Sequence, residues 1–370
     1  MATVAFARAV GAQAPLPKLS IMPPPKPLES EKKSEGKDRF SFIAYGDTRG
    51  PRDSTELQQA HGWVVDAIVK RIAAMSHGRD PVKFVIQSGD AVLDGRNPKM
   101  LDVGFTPLVN RITTEAGVPY FFVPGNHDVG GSTSLADPWR VRGYANLIAV
   151  NRELLPPEGS PRRLAGFATY AFGYGNTFVL GFDSNIGPDM TQFAWVRNQL
   201  DQLDRKRYVN VIVVCHNPAY SSGPHGIARV DTARQAMRDL YFPLFRNYHV
   251  NLLLTAHEHI LEHYVERYDD ASGSHRMDQI VSGGGGAPIY SYRGEPDLAA
   301  YLRTGSPQNV RVERILTASA DTLKDPHHYL LVHVDGTRIR VEAFGVGWGE
   351  WFLPYGKDGM ILADSGKRRQ

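Results

Sequence analysis

Short apolar runs punctuate this chain at 40–45, 82–87, 120–123, 209–215 and 250–254, each of strand length and rich in Val, Ile, Leu and Phe. Between them, apolar residues recur at helical spacing. This predicts helices over 57–75, through Trp63, Ala67, Ile68 and Ile72, and over 105–116 and 139–154, the last stopping at Pro156-Pro157. Phe193, Val196, Leu200 and Leu203 mark another over 191–204, and a further helix is expected over 232–246. Gly175-Asn176 joins the runs 168–174 and 177–183, and Asp335-Gly336 joins 328–334 and 337–344, so both pairs predict hairpins. Short strands are expected at 261–267 and 277–282. The polar stretches 269–276 and 293–309 read as surface loops, the second bordering a cleft. From residue 39 the pattern therefore predicts one α/β domain, 39–350, with two strand-rich halves and not a simple doubly wound sheet.

The polar residues that follow these runs change the picture. Gly46-Asp47, Gly89-Asp90 and Gly125-Asn126-His127-Asp128 follow the first three runs; His216 and His257-Glu258-His259 follow the last two. In open α/β sheets, ligands gather at the carboxyl ends of strands. Asp, Asn and His together offer oxygen and nitrogen donors to hard or borderline metals. Gly283 to Gly286 lacks the Lys-Ser/Thr of a phosphate loop and reads as a tight turn beside the cleft.

Composition narrows the classes. The chain has 370 residues, 42 % of them hydrophobic, and no run long enough for a membrane-spanning helix. Its net charge is +3; residues 1–38 carry +2 and Lys367, Arg368 and Arg369 carry +3, leaving the middle at about −2. That balance argues against stable nucleic-acid binding through a basic face. The lone Cys215 excludes an internal disulfide and a thiolate zinc site, and its apolar run places it in the core. Ala12-Gln13-Ala14 has the small-x-small look of an export cleavage site, which favours a periplasmic or secreted location over a cytoplasmic one. The Pro-, Lys- and Glu-rich stretch 15–38 reads as a disordered tether, and 351–370 as a C-terminal tail.

The ordered motifs Gly46-Asp47-Thr48-Arg49, Gly89-Asp90, Gly125-Asn126-His127-Asp128, His216 and Ala256-His257-Glu258-His259 resemble the calcineurin-like metallophosphoesterase superfamily. The likeness is nearest to bacterial members related to purple acid phosphatases. It extends to the helix containing Trp195-Val196-Arg197-Asn198-Gln199-Leu200 and to Cys215-His216-Asn217-Pro218. The resemblance implies two packed mixed β-sheets in a four-layer α/β/β/α sandwich, with metals at the carboxyl ends of the strands. It implies two metal ions, of Mn, Fe or Zn type, with Asp90 bridging them. Asp47 and His259 then complete one site, and Asn126, His216 and His257 the other. His257 and His259 share a face on a regular strand, whereas a tight loop aims them at different metals. The implied reaction is in-line hydrolysis of a phosphomonoester or phosphodiester by a metal-bound hydroxide, on a small-molecule phosphate ester or nucleotide. His127 is implied at the leaving group, His225 facing substrate, and Asp128 orienting His127 or a loop backbone.

One departure stands out. Arg49 occupies the place where many members carry a metal-binding His, and guanidinium cannot ligate a metal. Leu93 stands where purple acid phosphatases place a Tyr ligand, so a colourless protein is expected. Water or Asp94 fills the gap, or that site is weak, or one metal suffices. Arg49 has two readings: a phosphate clamp or a surface ion pair. The alternative from another class is a catalytically degenerate protein that binds phosphate compounds or a partner.

Overall fold

Strand β1 (Arg39–Tyr45) shows how the chain builds its layers. Its side chains alternate, as the pleat requires. Phe40, Phe42 and Ala44 enter one apolar cluster, and Ile43 and Tyr45 enter another on the opposite face. The structure is a computed structural model, and it describes residues 15–50, 56–156, 160–226, 232–291, 296–304, 307–316 and 325–364. The other strands are β2 (Val82–Gln87), β3 (Tyr120–Phe122), β4 (Tyr170–Tyr174), β5 (Thr177–Gly181), β6 (Asn210–Val214), β7 (Leu252–Thr255), β8 (Leu261–Asp270), β9 (Gly273–Ser282), β10 (Val310–Leu316), β11 (His328–Asp335), β12 (Arg338–Gly345) and β13 (Met360–Asp364).

Two mixed sheets result. One has the order β13-β12-β11-β1-β2-β3, the other β10-β8-β9-β7-β6-β5-β4. β1, β2 and β3 are parallel, as are β5, β6, β7 and β9. The hairpins β4–β5, β8–β9, β11–β12 and β12–β13 supply antiparallel pairs. Between the sheets lies an aromatic layer, with Phe121 stacked on Phe172 at 4.2 Å and Phe40 edge-on to Tyr174 at 4.9 Å. Helices Gln59–Met75 and Thr106–Thr114 cover the outer face of the first sheet; Met190–Asp201 and Phe242–Asn247 cover the second. This is the expected four-layer α/β/β/α sandwich. Among the described residues, no helix is long and apolar enough to cross a membrane.

Several expectations need correction. Residues 15–38 pack on the domain and do not form a loose tether. Ile21 is fully buried and its N–H bonds to the Val150 carbonyl at 2.9 Å. Glu31 pairs with Arg162 at 2.8 Å and accepts from the Tyr208 hydroxyl at 2.8 Å. Pro and charge suggested solvation, but the segment finds its partners far along the chain. The tail 351–370 likewise contributes β13, an edge strand on β12, so the domain outlasts residue 350. Stretch 269–276 is the tip of the β8–β9 hairpin, with Asp269 opposite Ser274. Its polarity reflects projection into solvent, not loss of pairing. Stretch 293–309 holds the helix Pro296–Thr304, whose final turn carries Arg303. The expected helix over 232–246 is broken by a wider turn at Met237–Tyr241. The export expectation at 12–14 lies outside the described residues.

Candidate metal centre

β1, β2, β3, β6 and β7 all end on the same side, because all five run parallel within their sheets. The loops after them carry the six expected donors. His216 Nε2 lies 3.0 Å from Asn126 Oδ1 and 3.4 Å from Asp90 Oδ1. His257 Nδ1 lies 2.9 Å from Asn126 Oδ1 and 3.2 Å from His216 Nε2. His259 Nε2 stands 3.5 Å from Asp47 Oδ1. Ligating atoms of Asp47, Asp90 and His216 fall within 4.8 Å of one another. His257 and His259 serve different sides of the cluster, one meeting Asn126 and the other Asp47.

The backbone is bent to achieve this. Asp47, Asp90 and His257 adopt left-handed conformations, with φ of 57°, 57° and 71°. Such values are costly for residues with a Cβ and persist where surrounding structure enforces them. The enforcement is visible. The Asp47 N–H bonds to the Gly89 carbonyl, and the Asp90 carbonyl accepts from the N–H groups of Thr48 and Arg49. The His257 N–H donates to Asp47 Oδ2 at 2.8 Å. Gly283 closes the floor, where a Cβ would stand 2.6 Å from Asp47 Oδ2.

The donor chemistry fits metal binding. The Nδ1 atoms of His216 and His259 meet the carbonyls of Ser88 at 2.9 Å and Pro288 at 2.7 Å. Each Nδ1 is thereby the donor, and each Nε2 keeps a lone pair directed at the cluster. Burial pushes the His257 imidazolium well below its usual range, so the ring is neutral as a ligand must be. Burial alone would raise Asp90, but His216, His127 and Arg49 hold its carboxyl below the usual range. Asp47 Oδ1 is buried and accepts no hydrogen bond from the described residues. A bare carboxylate oxygen among neutral imidazoles suits a cation.

The remaining expected residues sort clearly. Asp128 is a backbone clamp: its oxygens accept from the N–H groups of Asp90, Ala91 and Gly125 at 2.8–2.9 Å and of Val92 at 3.4 Å. The His127 N–H donates to Asp90 Oδ1 at 2.9 Å, and its ring Nδ1 meets the Leu93 carbonyl at 2.8 Å. Arg49 Nε lies 3.7 Å from Asp90 Oδ2, inside the site and largely buried, so the surface ion-pair reading is not met. The His225 ring packs 4.3 Å from His257. Asp94 does not reach the centre; it is tied to Arg96, with contacts from 2.7 Å. The Leu93 side chain packs against the outer core of the first sheet. Cys215 is buried as expected.

Three residues were missed. Glu258 is fully buried and links His225 Nδ1, at 3.1 Å, to Arg234 Nη2, at 3.1 Å. Its hydrogen bond raises the His225 pKa above the usual imidazole range. Tyr290 stacks on His259 at 4.1 Å, and burial pushes its phenol up to about 12. An acid set between two ligand histidines was a usable signal for Glu258. Arg234 and Tyr290 carry none, because only folding brings them near.

The model of the calcineurin-like phosphoesterase family matches residues 42–261. Purple acid phosphatase 22 of Arabidopsis thaliana is 26 % identical over 218 residues, which are 58 % of this chain and 46 % of that protein. Purple acid phosphatase 7 of the same plant is 22 % identical over 288 residues, 72 % of this chain and 75 % of that one. A purple acid phosphatase from yellow lupin (Lupinus luteus) seeds superposes with a TM-score of 0.57 at 15 % identity, covering 87 % of this chain and 53 % of its own. GAP50, the anchor in the inner membrane complex of Plasmodium, superposes with a TM-score of 0.54 at 13 % identity, covering 89 % and 90 %. This chain thus spans about half the length of the first of these relatives, and the two structural likenesses speak to fold alone.

Proposed function

Because this chain belongs to the calcineurin-like phosphoesterase family, we propose that it hydrolyses a small-molecule phosphate ester or nucleotide with a pair of metal ions. Asp47, Asp90 and His259 would hold one ion, Asn126, His216 and His257 the other, with Asp90 shared. The single observation that carries this reading is the convergence of these six donors, with the His216 and His259 tautomers set by the Ser88 and Pro288 carbonyls. When bound, such ions polarise a phosphoryl oxygen and acidify water.

The chain's own residues supply the rest. Arg49 offers a planar fork to the phosphate oxygens while facing the Asp90 charge. His127, fixed through its N–H and Nδ1, keeps Nε2 for the leaving oxygen. His225, held by Glu258, brings a proton to the same face. No tyrosine stands at position 93, so the iron-loaded protein is expected to lack a phenolate charge-transfer band.

Arg49 also supports a second reading. A cation 3.7 Å from Asp90 competes with a metal ion for that carboxylate, as in a degenerate binding protein. Metal content and hydrolysis of p-nitrophenyl and bis-p-nitrophenyl phosphate, measured on one preparation with Asp90→Ala as control, separate the two. Turnover that needs added metal and is lost in Asp90→Ala supports the enzyme. No turnover with Mn, Fe, Zn, Co or Ni supports the binding protein.

A further inference from the structure

At the opposite edge of the second sheet, three side chains converge that the reaction does not use. His249 Nε2 lies 2.7 Å from Asp270 Oδ2, and His275 Nε2 lies 2.9 Å from Asp270 Oδ1. The two imidazoles stack face to face at 4.0 Å with 11° between planes. One ligand atom from each residue falls within 4.8 Å of the others. His249 precedes β7, whereas His257 follows it; His275 sits near the start of β9, whereas Ser282 ends it beside the catalytic loops. The seven residue steps from 275 to 282 span roughly 23 Å of strand.

We propose that His249, Asp270 and His275 form a second, separate site for a borderline divalent metal ion of the zinc class. Two imidazole nitrogens and one carboxylate are the donor set such ions prefer. The site is built on paired backbone, since Asp270 and Gly273 face each other across the β8–β9 hairpin and Asp269 faces Ser274. Ser272 orients Asp270, its N–H and hydroxyl both donating to Oδ1 at 2.7 Å, and its hydroxyl oxygen also lies 2.9 Å from His275 Nε2. His249 and His275 line a groove of about 830 Å³, which gives an ion access and leaves room for water as a further ligand.

His249 supplies a second argument. Helix Phe242–Asn247 closes with the His249 N–H on the Arg246 carbonyl and the Val250 N–H on the Phe245 carbonyl. That closure places residue 249 in the left-handed region, φ 51°, where glycine or asparagine is the usual occupant. Among the described residues, four other than glycine have positive φ; the other three are Asp47, Asp90 and His257 of the candidate metal centre. A histidine kept where glycine would be easier is explained by a ligand role.

The test uses the full chain, stripped with chelator and reloaded with Zn²⁺ or Co²⁺. His275→Gln and Asp270→Asn stay close in size but remove an imidazole or a charge. Each variant is expected to hold one zinc fewer per chain at low micromolar free metal, with affinity at that site weakened at least about 100-fold. Cobalt-loaded wild type should show one absorbing component that both variants lack, while phosphate-ester hydrolysis stays unchanged. Equal zinc counts and cobalt spectra in all three proteins would overturn the proposal. So would zinc uptake only at millimolar concentration, or an equal loss of melting temperature with zinc and with chelator, which would mark a hydrogen-bonded clasp without metal.

Discussion

Glu258 grips His225 from inside the protein: its Oε2 lies 3.1 Å from His225 Nδ1, while its Oε1 accepts from Arg234. The acid is fully buried and the imidazole is partly exposed beside the candidate metal ligands. Glu258 therefore sets both the direction of the ring and its affinity for a proton. Under the proposed reaction, His225→Ala should lower kcat by about 100-fold. Glu258→Gln should lower it less, and should move the alkaline limb of the pH–rate profile to lower pH. The sign follows from His225 being raised by this hydrogen bond: a proton donor is lost as pH rises through its pKa, and that pKa falls without the carboxylate. An unmoved limb in Glu258→Gln would remove His225 from the chemistry.

Gly125 has no room for a side chain. A Cβ there would stand 2.1 Å from Asp90 Oδ1 and 2.4 Å from the Asp90 nitrogen. Gly125→Ala should destabilise the fold by about 1–3 kcal/mol and displace the shared carboxylate, with metal content falling alongside. Denaturant melts and elemental analysis on the same sample measure both. Normal metal content would show that Asp90 tolerates the shift.

Asp128 separates a structural role from a catalytic one. Burial and the Asp90 charge push its carboxyl upward, while backbone N–H groups pull it down. With four N–H donors facing it, the cage fits the carboxylate form. Asp128→Asn turns an amide N–H₂ toward N–H groups, and should cost about 3 kcal/mol or more. Chemical denaturation checks this. A variant as stable as wild type but inactive would place Asp128 in the chemistry.

Glu262 should make stability depend on pH. It is fully buried, accepts from Ser221 and Ser222, and burial lifts its pKa from 4.5 to about 7. A carboxyl raised by folding binds its proton more tightly when native. Stability should therefore fall as pH rises from the unfolded value through about 7 and then level off, by about 3 kcal/mol in all. Glu262→Gln should flatten that slope in denaturant titrations from about pH 5 to about pH 8. An unchanged slope would assign the dependence to other groups.

Much of the fold was legible because it rests on periodicity. The run at 82–87 became β2 without adjustment, and the helix at 57–75 lost only two residues at its start. What escaped had no period to read. β10 and β13 mix charged and apolar residues, and β13 is an edge strand held by a single partner. The six candidate donors were readable because each follows an apolar run, and a strand's carboxyl end is a position that sequence encodes. The tightness of the carboxylate clamp at Asp128 was readable only as a role, not as a geometry.

By itself, then, the order of residues determined the strands, the helices over them and the list of polar groups delivered at strand ends, because these are local properties of spacing and side-chain type. Tertiary structure alone decided that Arg49 meets Asp90 and that Glu258 joins His225 to Arg234. It also decided that residues 15–38 lie on the domain and that His249 meets Asp270 and His275. Each of these is a contact between segments far apart in sequence. Such contacts depend on the register and crossing of two sheets, which no local pattern carries.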